Sequence, residues 1–259
     1  MPINFHAQDN RFTYAKRRAD PSWRTMVEGI VNVEGKHVVE IGCGGGIYVQ
    51  ALADMGAASV TGVDFSEEML KVARQEAWGY ATVQFVHADA CKTGLGDETY
   101  DVVLQRALIH HLPQARWPSC FAEARRLLKP GGVLIVQNRT LGDCLLPGSA
   151  THIRGYFFER YPKLKDVEVG RRPENRVVRE TLEQVGFVHI EEHTLWEMVQ
   201  KYPNFQGLRE SLLARSGSVL HELTDAELTD LVAYIQRKMQ EGEQGEGQEV
   251  VRQDRWTLW

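Results

Sequence analysis

Three carboxylates stand at the ends of successive β-rich runs, and their spacing is the chemistry-bearing pattern of this chain. Glu40 lies inside Val38-Val39-Glu40-Ile41, Asp64 ends the run Ser59–Val63, and Asp89 follows Thr82–Val86. Neighbouring acids are one βαβ unit apart. Glu40 leads into Gly42-Cys43-Gly44-Gly45-Gly46, a turn where glycine lets the backbone come close to a ligand without a Cβ in the way. A carboxylate beside such a turn repels a pyrophosphate and welcomes a cation. Asp64 has two oxygens that match a vicinal diol. A fourth run, Tyr100–Gln105, continues as Arg106-Ala107-Leu108-Ile109-His110-His111-Leu112. His110 and His111 are candidate bases, since an imidazole titrates near neutral pH. Arg106 could orient an acidic group.

The glycine turn is not that of a dinucleotide enzyme. The G-x-G-x-x-G pattern needs a glycine at position 47, which is Ile47, and there is no G-x-x-x-x-G-K-[ST] for a P-loop. Glu40-Ile41-Gly42-Cys43-Gly44-Gly45-Gly46 instead resembles the first motif of class I S-adenosylmethionine (SAM)-dependent methyltransferases, an acid, an apolar residue and then G-x-G-x-G. The H-H-L turn at 110–112 and the Leu128-Lys129-Pro130-Gly131-Gly132 run look like later motifs of that superfamily. The motifs fall in order between Val38 and Asn138, most like small-molecule enzymes of the quinone-biosynthesis or BioC-like kind. Glu40 stands where Asp is commoner, and Gln105-Arg106 is a less usual pair.

The resemblance implies an α/β fold: a Rossmann-like, seven-stranded, mostly parallel sheet with helices on both faces, an antiparallel last strand and a helical lid. It implies SAM as cofactor and S-adenosylhomocysteine (SAH) as product. The cofactor contacts it implies are Tyr14, Glu40, Gly42, Cys43, Gly44, Asp64, Phe65, Met69, Asp89, Ala90, Gln105 and Arg106. Within that set Asp64 would take the ribose hydroxyls, Asp89 the adenine amine, the Ala90 amide a ring nitrogen, and Tyr14 the methionyl end.

The elements that must position these residues are legible in outline. Helices are expected over Ile47–Met55, from Ser66 as N-cap with acids in the first turn, and over Ala115–Leu128 with Phe121, Ala124, Leu127 and Leu128 on one face. Lys129-Pro130-Gly131-Gly132 is expected to end that helix before a fifth strand, Val133–Val136. The chain divides into a helical lid (1–35, helical around Pro21–Val31), a cofactor core (36–138), an aromatic-rich insertion (139–176) and the C-terminal half of the core (177–259). In the last part, Val188–Thr194 is expected as strand six, 196–240 as a helical insertion with a capping box at Thr224-Asp225-Ala226-Glu227, and 250–258 as an antiparallel strand beside strand six. Glu241–Glu249 reads as a flexible loop.

Composition narrows the function. Net charge is -5, with no basic footprint for a phosphate polymer, so a nucleic-acid substrate is disfavoured and a small-molecule methyl acceptor is expected. The cysteines Cys43, Cys91, Cys120 and Cys144 form no C-x-x-C pair, as suits reduced thiols in a cytoplasm. No metal site is expected. No apolar run nears membrane-spanning length, and 1–19 is too polar for a signal peptide. Methyl transfer from a sulfonium needs neither metal nor covalent nucleophile; in-line orientation in a dry pocket supplies the rate. Two other readings stay open on the sequence: a NAD-dependent oxidoreductase, and a non-catalytic SAM- or SAH-binding protein. The acceptor, the use of a base and the oligomeric state are not encoded legibly.

Overall fold

The computed structural model describes residues 18–170, 172–242 and 247–259. Tyr14 lies outside the described residues. The central strands are β1 (His37–Ile41), β2 (Ser59–Asp64), β3 (Val83–His87), β4 (Tyr100–Arg106) and β5 (Leu128–Asn138), joined by β6 (His193–Tyr202) and β7 (Val250–Leu258) in the order β3-β2-β1-β4-β5-β7-β6. The first five run parallel, and β7 pairs antiparallel with β5 through Gln137↔Leu258 and Asn138↔Thr257. β1, β2 and β4 are short and mostly buried because the middle of a parallel sheet is covered on both faces.

The helices that flank β1 to β5 are α1 (Pro21–Ile30), α2 (Ile47–Asp54), α3 (Glu67–Glu76) and α4 (Trp117–Leu127). α1 opens at Asp20, whose carboxylate accepts from the Ser22 amide, and Pro21 occupies the first turn, where no amide donor is needed. Ser66 caps α3 as expected, accepting from the Met69 amide. The order reverses between β1 and β4, so the loops after these strands diverge and leave a crevice at the carboxyl edge. Register brings the acids to that edge, with Glu40 opposite Gly62 and Asp64 opposite His87.

The chain divides into two compact units. One comprises the described residues up to Asn138 with Pro173–Leu195 and Thr257–Trp259. Its core joins Val39, Ile41, Val63, Val103 and Leu127 on one side and Phe121, Val136, Val178 and Trp259 on another. The other comprises Arg139–Arg172 and Trp196–Trp256. It holds α5 (Leu141–Cys144), α6 (Ile153–Arg160), α7 (Leu164–Val169), α9 (Phe205–Leu213) and α10 (Asp225–Glu241), while α8 (Asn175–Gln184) belongs to the first. Ile153, Phe157, Leu208, Leu212, Leu231 and Ile235 form the second core. The Thr224–Glu227 capping box is present at the start of α10.

Three boundaries differ from expectation, and the first is strand six, which was expected over Val188–Thr194 but begins at His193. Residues 196–202, read as the start of a helical insertion, continue β6: Leu195 and Glu197 are buried while Trp196 between them is exposed, a period of two that only a strand gives. The helix α9 starts later, at the Asn204 cap after Pro203. Lys129–Gly132 is not a stop before β5 but part of it. The pairing jumps from Tyr100↔Leu128 to Val102↔Val133, and Gly131 at φ +77° takes up the excursion.

Trp23 ties the leading helix to the sheet. Its ring is fully buried and its Nε1–H donates to Gln137 Oε1 at 2.8 Å. Trp23→Phe keeps most of the packing but leaves that buried oxygen unpaired. It should destabilise the protein by about 1–3 kcal/mol in urea denaturation; a loss below about 0.5 kcal/mol would show the bond to be dispensable.

Candidate functional site

The glycine turn is held open by backbone conformations that side chains resist. Gly42, Gly44 and Gly46 lie at φ +82°, +50° and +79°. A Cβ on Gly42 would meet Leu108 Cδ1 at 2.9 Å, and one on Gly44 would meet Met69 Cε at 3.4 Å. The Gly42 and Cys43 amides both donate to Val63 O, at 2.7 and 2.9 Å, which ties the turn to β2. The buried Cys43 thiol faces the sheet, where a Cβ on Gly62 would lie 2.9 Å from Cys43 Sγ.

Asp64 closes the turn. Its Oδ2 accepts from the Gly44 amide and its Oδ1 from the Ser66 amide, each at 2.8 Å, so one carboxylate fixes both the glycine loop and the N-terminus of α3. Burial raises the Asp64 pKa, and the amides of Ser66 and Gly44 work against that rise. Each oxygen retains acceptor capacity for a hydroxyl, because a carboxylate offers about four lone-pair sites.

Glu40 is 2 % exposed, and burial pushes its pKa from 4.5 to about 8, with Arg106 lowering it, Asp64 raising it and the Val49 amide lowering it. Its Oε2 has no hydrogen-bond partner among the described residues. An orphan carboxylate oxygen beside a cradle of glycines is what a positively charged ligand would satisfy.

Arg106 lies with its guanidinium 4.0 Å from the Tyr48 ring centroid, and Tyr48 meets Trp23 edge-on at 4.7 Å. This stack joins β4, α2 and α1. Tyr48 was not singled out from the sequence, although it sits in the first turn after the glycines. Ala107, just past β4, adopts φ +52° and donates to Gln137 O; a non-glycine residue in this region stores strain of the kind found at functional loops. His110 and His111 follow in a 3-10 turn, Ile109–His111, with ring centroids 3.9 Å apart. His110 Nδ1 lies 2.8 Å from Oδ1 of Asn138, a fully buried residue at the end of β5. A polar residue closing an apolar strand was the available signal for Asn138.

The structure gathers Glu40, Gly42, Cys43, Gly44 and Asp64 into one turn, with Met69 beneath it and the Phe65 ring 52 % exposed beside it. Asp89 is half-exposed and pairs with Arg116 at 2.6 Å, and its carboxyl is held below the ordinary range by that bond and by the Cys91 amide. Arg116 escaped notice in the sequence. Ala90 follows Asp89 in a partly exposed position. Gln105 is turned into the protein, its Nε2 donating to Cys120 O at 3.3 Å. Among the described residues, no group of three His, Cys, Asp or Glu side chains could hold a metal ion, and no helix is long and apolar enough to cross a membrane.

Residues 39–136 match the family described as methyltransferase domain. The matched segment holds the glycine turn and both buried acids, Glu40 and Asp64. The chain is similar to a demethylmenaquinone methyltransferase of Staphylococcus epidermidis, 33% identical over 116 residues, covering 44% of this chain and 47% of the relative. It is also similar to a ubiquinone biosynthesis O-methyltransferase of Haemophilus ducreyi, 37% identical over 122 residues, covering 43% and 50%. The chain thus spans about half the length of these relatives. Among solved structures it shares the fold of Haemonchus contortus phosphoethanolamine N-methyltransferase 2, with a TM-score of 0.59 at 19% identity over 99% of this chain and 60% of that one. The seven-stranded sheet with an antiparallel strand agrees with the expected fold class. Neither an oxidoreductase nor a non-catalytic reading draws support from these likenesses.

The raised Glu40 pKa has a consequence for stability. The folded state holds this proton more tightly than the unfolded chain, so the Glu40 contribution to stability falls as pH rises from about 4.5 to about 8. Glu40→Gln should therefore gain stability relative to the parent protein as pH rises through that window, in denaturant melts at pH 5 and pH 8.5. A difference between the two proteins that does not change with pH would contradict the burial of an uncompensated carboxyl.

Proposed function

We propose that the protein is an enzyme that moves a methyl group from SAM to a small-molecule acceptor, working in the cytoplasm and releasing SAH. The observation that carries this reading is the glycine turn with its two buried carboxylates. Glu40 offers an unsatisfied oxygen to a cation, and Asp64, anchored by the Gly44 and Ser66 amides, offers its remaining lone pairs to a diol. SAM carries a sulfonium, an ammonium and a ribose diol, so the donor set fits it. When bound, it supplies an electrophilic methyl carbon whose leaving group is a neutral thioether.

This chain's own residues then do four things. Gly42, Cys43 and Gly44 shape the cradle; Asp64 and Glu40 bind; Phe65 and Met69 supply an apolar face for a flat base, with Asp89 and Ala90 beyond it. The Arg106–Tyr48–Trp23 stack sets the position of Arg106, the cation that lowers the Glu40 pKa. His110 can take a proton from an acceptor hydroxyl or amine. With Nδ1–H donating to Asn138 Oδ1, the neutral ring carries its lone pair on Nε2. The His111 ring lies against it, tilted by 43° with centroids 3.9 Å apart. Gln105 acts from behind the strand, through its hold on Cys120. Tyr14, outside the described residues, would contact the methionyl end of the cofactor on this reading. A net charge of -5 argues against a nucleic-acid acceptor.

Isothermal titration with SAH tests the cofactor assignment. The parent protein should bind, and Asp64→Ala should weaken binding roughly 10- to 100-fold by removing a charged acceptor; unchanged affinity would remove Asp64 from the site. In assays over phenols, quinols, amines and carboxylic acids, His110→Ala should lower kcat by about 100-fold or more while SAH affinity holds. A parallel loss of SAH affinity would assign His110 a structural role instead.

A further inference from the structure

Asp89 is held by two donors that choose the same oxygen. The Cys91 amide donates to its Oδ1 at 2.8 Å, and Arg116 Nη2 donates to Oδ1 at 2.6 Å. The first bond makes an Asx turn, in which an aspartate side chain holds the amide two residues on. The Lys92 amide closes the same turn onto Asp89 O at 3.0 Å. Neither side-chain bond falls on Oδ2, and a carboxylate has about four lone-pair sites to share between its oxygens. The side chain is therefore fixed in rotation, with one oxygen engaged by the protein and the other left for a donor from outside the turn.

Arg116 is itself firmly placed. It closes the 3-10 turn Gln114–Arg116, where its amide donates to Pro113 O at 2.8 Å. The next residue, Trp117, is buried and donates through Nε1 to Ile109 O at 2.9 Å, in the turn that carries His110 and His111. Cys91 Sγ lies 3.8 Å from Arg116 O, so the turn of 89–92 meets Arg116 through its backbone as well as its side chain. One arginine thus joins the loop after β3 to the loop after β4. As a device for stability the pair is weak, because its side chains are 44 % and 50 % exposed and an exposed ion pair contributes little. What it controls is direction: a charge-assisted bond is short and strong, and here it commits Oδ1.

We propose that Arg116 is a positioning residue for selection of the cofactor's base. By engaging Asp89 Oδ1 it leaves Oδ2 for the 6-amino group of a purine, and so favours adenine over a base that lacks the amine. This rests on the SAM-dependent reading and on Asp89 as the adenine contact. A site built to accept from an N–H rejects the analogue without it, since its acceptor is then left unpaired.

Isothermal titration of the full chain with two ligands tests this: SAH, and the SAH analogue with unsubstituted purine, which loses the 6-amino group and keeps every ring nitrogen. The parent protein should prefer SAH by about tenfold, and Asp89→Ala should abolish the preference. Arg116→Met should cut it by about threefold or more, mainly by weakening SAH, and Arg116→Lys, which keeps the charge, should restore part of it. Arg116→Gln carries the same expectation as Arg116→Met if the latter fails to fold. An equal loss for both ligands in Arg116→Met would mark a merely structural role and overturn the proposal. An unchanged or larger preference would overturn it too, the arginine then being idle or a competitor of the base, as would a preference that survives Asp89→Ala. A parent protein that binds both ligands equally well overturns the proposal and leaves the cofactor assignment standing. One that binds neither overturns the proposal and the methyltransferase reading together.

Discussion

Two carboxyl groups, Glu40 and Asp64, are buried at the ends of neighbouring parallel strands, and the rest of the site is arranged around that cost. Asp64 is compensated by the Gly44 and Ser66 amides. Those same bonds set the shape of the glycine turn and the start of α3. Glu40 receives less: the Val49 amide and the nearby Arg106 do not offset its burial, and its pKa rises to about 8. The Arg106 guanidinium lies over Tyr48, which meets Trp23 edge-on, and Trp23 is bonded to Gln137. The geometry leaves one oxygen to be satisfied from outside. A protein that only needed a stable sheet would gain by an apolar residue there.

That deficit is a functional signature because pKa perturbation by desolvation, in a crevice at the reversal point of a parallel sheet, marks binding sites more often than scaffolding. It also explains why the fold alone would be a weak argument: the same architecture serves many chemistries, and activity must be read from the residues at the crevice.

Much of this was legible in the sequence because its causes are local. The strand ends at Ile41, Asp64 and His87, the Ser66 cap and the Thr224 capping box follow from short-range patterns of apolar runs and capping side chains. The acids at 40 and 64 were readable for the same reason: one βαβ unit has a narrow range of lengths. What could not be read depends on partners distant in the chain. The Trp23–Gln137 bond, the Asn138–His110 contact and the Arg116 hold on Asp89 each join residues from different elements. Gln105 turned inward because strand alternation set its face, a fact the motif resemblance did not carry. Residues 196–202 misled for another reason. Their polar and apolar residues suit either period, and the choice of strand is made by pairing at the sheet edge.

The account turns on Glu40 holding a proton that a cationic cofactor displaces. Titrating SAM at pH 7 in two buffers of different ionisation enthalpy counts the protons released on binding. The parent protein should release close to one proton more than Glu40→Gln, because the bound cation draws the carboxyl into its ionised form. Equal proton counts in the two proteins would contradict the claim that this buried acid receives the cofactor's charge.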